Sequence, residues 1–251
     1  MLLLLDTSLA EESLVALADE RGSRLHGTRV YPRREGGSAH LLKGAHELLD
    51  ARGAGLEALK GLVVNRGPGS YTGLRIGFGL AQGLSETRTL PVVSVPSFDA
   101  FAAGHREHGV PLVVCYDARS RGIAFVIFPA DSEGPIKAGS DAERRAAASA
   151  VEDRMELGER GVLIYIAPAA ALPGLVPRPS RLVGPGVRTL ARRLEGEIPS
   201  DLDLVADTRR AEPQHMAALG AQRLLEGAED PVAASPYYLG TVAAPAANDG
   251  R

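Results

Sequence analysis

The chain has 251 residues, 45% hydrophobic and 24% charged, with a formal net charge of −3, enough apolar material for one large domain or two small ones. That balance leaves no global field for gripping nucleic acid, and the arginines come as scattered pairs such as Arg33-Arg34, Arg144-Arg145 and Arg209-Arg210. The single cysteine excludes an intrachain disulfide and fits a reducing cytoplasm, while the Leu2 to Leu5 run is too short for a secretory signal and no other run reaches membrane-spanning length.

Leu2 to Asp6 reads as a short buried strand. Leu14 to Ala18 and Arg24 to Tyr31 read as a hairpin pair turning at Asp19-Glu20-Arg21-Gly22. From Ser38 to Arg52, Leu41, Leu42, Ala45, Leu48 and Leu49 recur at i, i+1, i+4, i+7 and i+8, an amphipathic helix with Ser38 as its cap and Gly53 as its stop. Leu62 to Val64 supplies a fourth strand, which breaks at Arg66-Gly67-Pro68-Gly69. Ser70 then caps a helix running towards Leu84, and Pro91 to Val95 supplies a fifth strand before a helix near Ser97 to Gly104. Three strands, helix, strand, helix, strand, helix is the ribonuclease-H-like order of one actin-type lobe.

A second cycle begins at Pro111. Leu112 to Tyr116 and Gly122 to Phe128 form a hairpin around Asp117 to Arg121, with Pro135 to Ala138 as a third strand. Cys115 lies in an apolar strand and reads as a buried thiol, not a nucleophile. Asp141 to Leu157 is helical by composition, Val162 to Ala167 is a strand, and Pro168 to Pro179 is a connection. Arg181 to Val183, the Gly184-Pro185-Gly186 turn, a helix from Val187 to Leu194 and a weak strand at Leu202 to Ala206 follow. Pro213 sits at the first position of a helix reaching Leu225, which is expected to return to the first half. These elements predict a duplicated α/β fold with two actin-like lobes. The first lobe takes residues 1–106 and is rejoined by the helix at 212–226; the second takes 107–211, and a tail at 243–251 is expected to be disordered.

The most informative stretch is Val63 to Ala81. Its helix carries Gly73, Gly77, Gly79 and Gly83, each costing roughly 1 kcal/mol against alanine. At about 100° per residue, Gly73 and Gly77 fall on one side and Gly79 and Gly83 on nearly the opposite side. Two neighbours can therefore approach this backbone closely: the lobe's own sheet, and a second helix from this chain or another subunit.

Catalytic parts are missing. An actin-type phosphotransferase needs carboxylates and glycine-rich turns from both lobes. Asp6, Gly67 and Gly69 are the candidate cofactor contacts of the first lobe, but Tyr116-Asp117-Ala118-Arg119-Ser120 poorly suits close phosphate approach and Pro185 removes a donor. Asp6 is better explained by hydrogen bonds at the strand end. The six histidines (His26, His40, His46, His105, His108 and His215) lack metal-ligand spacing. Gly69-Ser70-Tyr71-Thr72-Gly73 puts its serine one place too early for a nucleophile elbow. No catalytic residue, metal or cofactor is assigned.

Asp6-Thr7-Ser8, the run Arg66-Gly67-Pro68-Gly69-Ser70-Tyr71-Thr72-Gly73-Leu74-Arg75-Ile76-Gly77, Ala81 to Leu84, Pro91 to Ser97, Asp117-Ala118-Arg119 and Pro236-Tyr237-Tyr238-Leu239 together resemble the TsaB (YeaZ) family. The resemblance is thin between about Ser132 and Ala211. It implies a two-lobed, non-catalytic partner of a larger paralogue, TsaD, which holds the metal and transfers a threonylcarbamoyl group to adenosine 37 of tRNAs reading codons that start with A. TsaE, an ATPase, joins them, tRNA contact is indirect or weak, and a homodimer is an alternative pairing. The resemblance further implies a pairing surface on the amphipathic and glycine-rich helices, with Leu41, Leu42, Ala45, Leu48, Tyr71, Gly73, Leu74, Gly77 and Phe78 as its residues. Two departures stand out: Gly37 where relatives often carry histidine, and Gly240 in place of a terminal arginine. Competing readings are a small actin-fold kinase or ATPase resembling type III pantothenate kinases, and a self-associating scaffold.

Overall fold

The computed structural model describes residues 1–32, 37–132, 134–145, 151, 154–157, 161–206, 208–228 and 235–239. The first sheet is built on β1 (Leu2–Asp6), whose five residues are all buried. A strand wedged between two neighbours and covered on both faces needs apolar residues at every position, which the Leu2 to Leu5 run supplies. β2 (Glu12–Ala18) and β3 (Leu25–Pro32) add to it antiparallel, while β4 (Gly61–Gly67) and β5 (Val92–Pro96) add in parallel, giving the order β3-β2-β1-β4-β5.

The second sheet repeats that plan. β6 (Leu112–Asp117) pairs antiparallel with β7 (Ile123–Phe128), which pairs antiparallel with β9 (Val162–Ala167). On the other side of β6, β10 (Ser180–Val183) and β11 (Leu202–Leu204) are parallel. Taken from β9 to β11, these five strands reproduce the first sheet's order and directions, and β8 (Arg154–Leu157) is an added edge strand on β9. The chain is a duplicated, two-lobed actin-like fold.

Each face of the first sheet meets a different layer. Leu3, Leu5, Leu62 and Val64 point to α1 (Ser38–Asp50) and α2 (Tyr71–Arg88) through Leu41, Ala45, Leu48, Leu49, Ala81 and Leu84. Leu2, Leu4 and Val63 point the other way, where α3 (Ser97–His105) and α7 (Pro213–Glu226) bring Phe98, Phe101, Met216 and Ala217. That inner core continues into the second sheet through Val114, Tyr116, Val126 and Phe128, while the second sheet's outer face carries α5 (Leu172–Leu175) and α6 (Val187–Arg193) through Leu172, Val187 and Leu190. As expected, α7 returns to the first lobe, packing on β4, β5 and α3. Cys115 is wholly buried in β6, and burial pushes its thiol pKa far up.

Three local expectations change. Ser38 is the first helical residue of α1; Gly37 occupies the cap and gives no side-chain bond. Pro135 to Ala138 forms one bridge, Lys137 to Val162, instead of a strand. Of the expected helix over Asp141 to Leu157, the described residues form α4 (Asp141–Arg145) at one end and the strand β8 at the other. Helical composition loses there because the β9 edge offers Arg154 to Leu157 a ladder and Met155 reaches the core. Gly240 and the tail from 243 lie outside the described residues.

One ion pair fastens the returning chain to the first sheet. Arg210, just ahead of α7, places Nη1 2.9 Å from Asp6 Oδ2 and donates to the Asp6 carbonyl at 3.1 Å, while its Nη2 donates to the Glu12 carbonyl at 3.3 Å. Both side chains are almost wholly buried, at 4% and 11% exposure. Removing Asp6 leaves the buried Arg210 guanidinium facing only the half-buried Glu12 carboxylate at 3.4 Å, so Asp6→Ala should destabilise the fold by about 3 kcal/mol, read from urea unfolding. A loss indistinguishable from that of an exposed aspartate such as Asp203→Ala would contradict this role.

Candidate functional site

Two surfaces merit a functional reading: the outer face of α1 and α2, and the cleft between the lobes. α2 starts as the sequence indicates, with Ser70 Oγ accepting the Gly73 N–H at 3.2 Å. It runs one turn further than expected, to Arg88, and ends on Thr89 in a left-handed conformation (φ 51°).

The four helix glycines divide as their angular positions predict. A Cβ on Gly73 would lie 2.1 Å from the Thr7 carbonyl oxygen, and one on Gly77 would lie 2.5 Å from Thr7 Oγ1. This side of α2 is therefore pressed onto the chain leaving β1. Gly79 and Gly83, by contrast, have nothing within 4 Å of a built Cβ. They floor an open groove of about 480 Å³ whose walls include Leu42 of α1 and Arg75, Ile76, Leu80 and Thr87 of α2.

The residues expected at a pairing surface accordingly separate. Leu41, Ala45, Leu48, Gly73, Leu74 and Gly77 are buried inside their own lobe. Leu42 and Phe78 are half-buried, and Tyr71 is exposed. The expected list omitted Ile76, Gly79, Leu80 and Gly83, although 76, 80, 83 and 87 form a helical stripe of the kind that signals a second apolar face.

In the cleft, the Asp6 carboxylate is already engaged. Its Oδ1 accepts from the Ser8 N–H at 3.0 Å and the Ser8 hydroxyl at 2.7 Å, and Oδ2 faces Arg210. Asn65 continues the network, with Nδ2 3.4 Å from Ser8 Oγ and Oδ1 accepting the Gly67 N–H at 2.8 Å. Gly69 is backed against Ser8, whose carbonyl oxygen a Cβ would approach to 2.4 Å. Asp6, Gly67 and Gly69 thus brace the strand end and the loop before α2. Among the described residues, no group of three His, Cys, Asp or Glu side chains is arranged to hold a metal ion.

The segment Ser235–Leu239 crosses this region. Tyr237 donates its N–H to the Arg66 carbonyl at 2.7 Å, and the Arg66 guanidinium lies 4.6 Å above the Tyr237 ring. Tyr237 also stacks on Phe98, Tyr238 meets Tyr71 at 4.7 Å between ring centroids, and the Leu239 carbonyl accepts from Arg121 of the second lobe at 3.2 Å. The two motifs most distinctive in the sequence, around Arg66 and around Tyr237, are therefore in direct contact.

Comparison with known proteins agrees with this layout. Residues 36–139, which include α1 and α2, match the family model described as TsaD: tRNA N6-adenosine threonylcarbamoyltransferase. The tRNA threonylcarbamoyladenosine biosynthesis protein TsaB of Haemophilus influenzae is 35% identical over 128 residues, 49% of this chain and 52% of that protein. Its counterpart from Escherichia coli is 33% identical over 118 residues, 46% of this chain and 51% of that protein. The chain thus spans about half the length of the curated relatives it matches. The solved structure of YeaZ from Pseudomonas aeruginosa superposes with a TM-score of 0.63 at 24% identity, covering 94% of this chain and 98% of that one; this likeness speaks to the fold. The chain is similar to TsaB (YeaZ) proteins over about half of its length.

Within this region of similarity, the glycine helix gives a sharp contrast. Gly73→Ala should destabilise by about 1 to 3 kcal/mol, because the backbone carbonyl of Thr7 cannot step aside. Gly79→Ala should stabilise by about 0.5 to 1 kcal/mol, since its Cβ enters open space and the helix gains propensity. Thermal melts of both variants test this; equal effects of one sign would show that the two sides are not distinct.

Proposed function

We propose that this protein is the non-catalytic partner required to form the threonylcarbamoyl group on adenosine 37 of tRNAs reading codons that start with A. It acts by binding a TsaD paralogue, and TsaE joins the larger assembly. The observation that carries the reading is the unfilled groove over Gly79 and Gly83, flanked by Leu42, Ile76 and Leu80.

Chemistry and pattern favour this occupant. Four glycines in one helix cost roughly 1 kcal/mol apiece. Two are accounted for by contact with Thr7, and two are not. A second helix lying across Gly79 and Gly83 would supply the missing close approach, since small residues let backbones pack tightly. The match of residues 36–139 to the TsaD family model supports a paralogous partner that carries a comparable helix pair. Two such pairs can meet face to face about a pseudo-two-fold axis, much as identical surfaces do in a homodimer. The names of the curated relatives support threonylcarbamoyladenosine as the pathway product.

Affinity for the TsaD paralogue of the same organism, measured by biolayer interferometry, tests the reading. Gly83→Leu and Leu42→Glu should each weaken binding by more than about tenfold while keeping a wild-type melting temperature, whereas Lys137→Glu on the second lobe should bind normally. Wild-type binding by both groove variants would remove this face from the complex. Failure of the wild-type chain to bind the paralogue at all would refute the proposed role.

A further inference from the structure

The interlobe cleft encloses about 860 Å³, within the size range of small-molecule sites. Its charge runs against that of the molecule. The chain carries a formal net charge of −3, yet Arg119, Arg121, Arg188, Arg209 and Arg210 line the cleft with Glu11 and Asp117 as the accompanying carboxylates. Arg210 is held by Asp6 and Glu12. Asp117 is bound within its own lobe, accepting the Arg119 N–H at 2.7 Å and the Thr189 hydroxyl at 3.0 Å.

The other four cleft arginines come from separate places, the β6–β7 turn, the N-terminal end of α6 and the connection ahead of α7, and Arg121 also donates to the Leu239 carbonyl at 3.2 Å. Arg119 sits at φ 57°, in the left-handed region, where glycine or asparagine is the ordinary occupant. Its backbone is fixed there, since its carbonyl also accepts from Arg193 at 2.9 Å. The opposite wall is hydroxylic, with Ser8, Ser70 and Ser97, and Tyr71 and Tyr238 stand at the mouth. Arg119, Arg188 and Arg209 are exposed to the cleft and Arg121 is half-buried; guanidinium groups lining one concavity bind clustered anionic oxygens, because each offers charge-assisted, often bidentate hydrogen bonds.

We infer that this cleft is a binding site for a small polyanion, a compact molecule bearing two or more phosphoryl or carboxyl groups, held by arginines without a metal ion. Asp6, the strand-end carboxylate that could have met a cation, is bound instead by Arg210. Metal-free recognition follows from that substitution of guanidinium for cation. The site lies away from the α1–α2 groove, so the inference stands independently of the proposed role in tRNA modification.

The chain has six tyrosines and no tryptophan, and Tyr71, Tyr116 and Tyr238 line the cleft, so intrinsic tyrosine fluorescence reports occupancy. The full chain is titrated with inorganic pyrophosphate and with citrate, each with and without magnesium, at low and high salt, and the heats are checked by calorimetry. Saturable binding without magnesium is expected, weakening as salt rises. Preference between the two probes separates phosphoryl from carboxyl recognition. Arg119→Glu and Arg209→Glu should each weaken binding by about tenfold, Arg209→Lys should retain most of it, and Arg29→Glu on β3 should leave it unchanged. Should a charge reversal impair folding, Arg119→Gln and Arg209→Gln carry the same expectation in smaller degree. Absence of saturable binding of either probe, a requirement for magnesium, undiminished affinity in folded arginine variants, or binding of RNA alone would each overturn the inference.

Discussion

The contact between α2 and the chain leaving β1 sets the terms for the rest of the first lobe. Gly69, Gly73 and Gly77 together remove the side chains that would keep the helix away from Thr7 and Ser8. Because the helix sits so close on that side, its rotation is fixed, and with it the outward position of Gly79 and Gly83. A helix turned by half a revolution would bury the groove and strand Gly73 in solvent. The sequence thus specifies an exposed surface by over-specifying a buried one, with 3.6 residues per turn as the link.

The same strand end shows how the cleft departs from a metal-phosphate arrangement. Asp6 stands where β1 ends, but its oxygens serve Ser8 and Arg210, and Asn65 and Gly67 extend the network into the loop before α2. Arg210 is supplied from the far end of the chain, so the cleft floor is also where α7 is secured to the first sheet. On the opposite lobe the hairpin presents Arg119 and Arg121 to the cleft. The segment Ser235–Leu239 ties that region together, touching Arg66 and Tyr71 on one lobe and Arg121 on the other.

Most strands were legible because central strands buried on both faces must be apolar throughout, as in Leu2 to Leu5 and Val162 to Ala167. The duplication was legible in the order of elements. Where the reading failed, tertiary context outweighed local preference: Arg154 to Leu157 becomes an edge strand because β9 offers a free ladder, despite a composition suited to helix. For the surface, angular position identified the two glycine sides correctly, but which side faces the sheet could not be read from an all-round pattern. Leu41, Ala45 and Leu48 are apolar for the sake of their own core, whereas Leu42, one residue on, turns to the groove. The arginine convergence in the cleft was invisible in sequence, since Arg119, Arg188 and Arg209 are far apart along the chain and meet only through the fold.

Amide hydrogen exchange of the chain alone and mixed with the TsaD paralogue distinguishes a flank of α2 shaped for a partner from one shaped for its own lobe. Added protection on complex formation is expected in the exposed stripe from Arg75 to Thr87 and at the start of α1, with the second lobe unchanged. A stable complex whose added protection falls on the second lobe, with α2 exchanging as it does in the free chain, would contradict it.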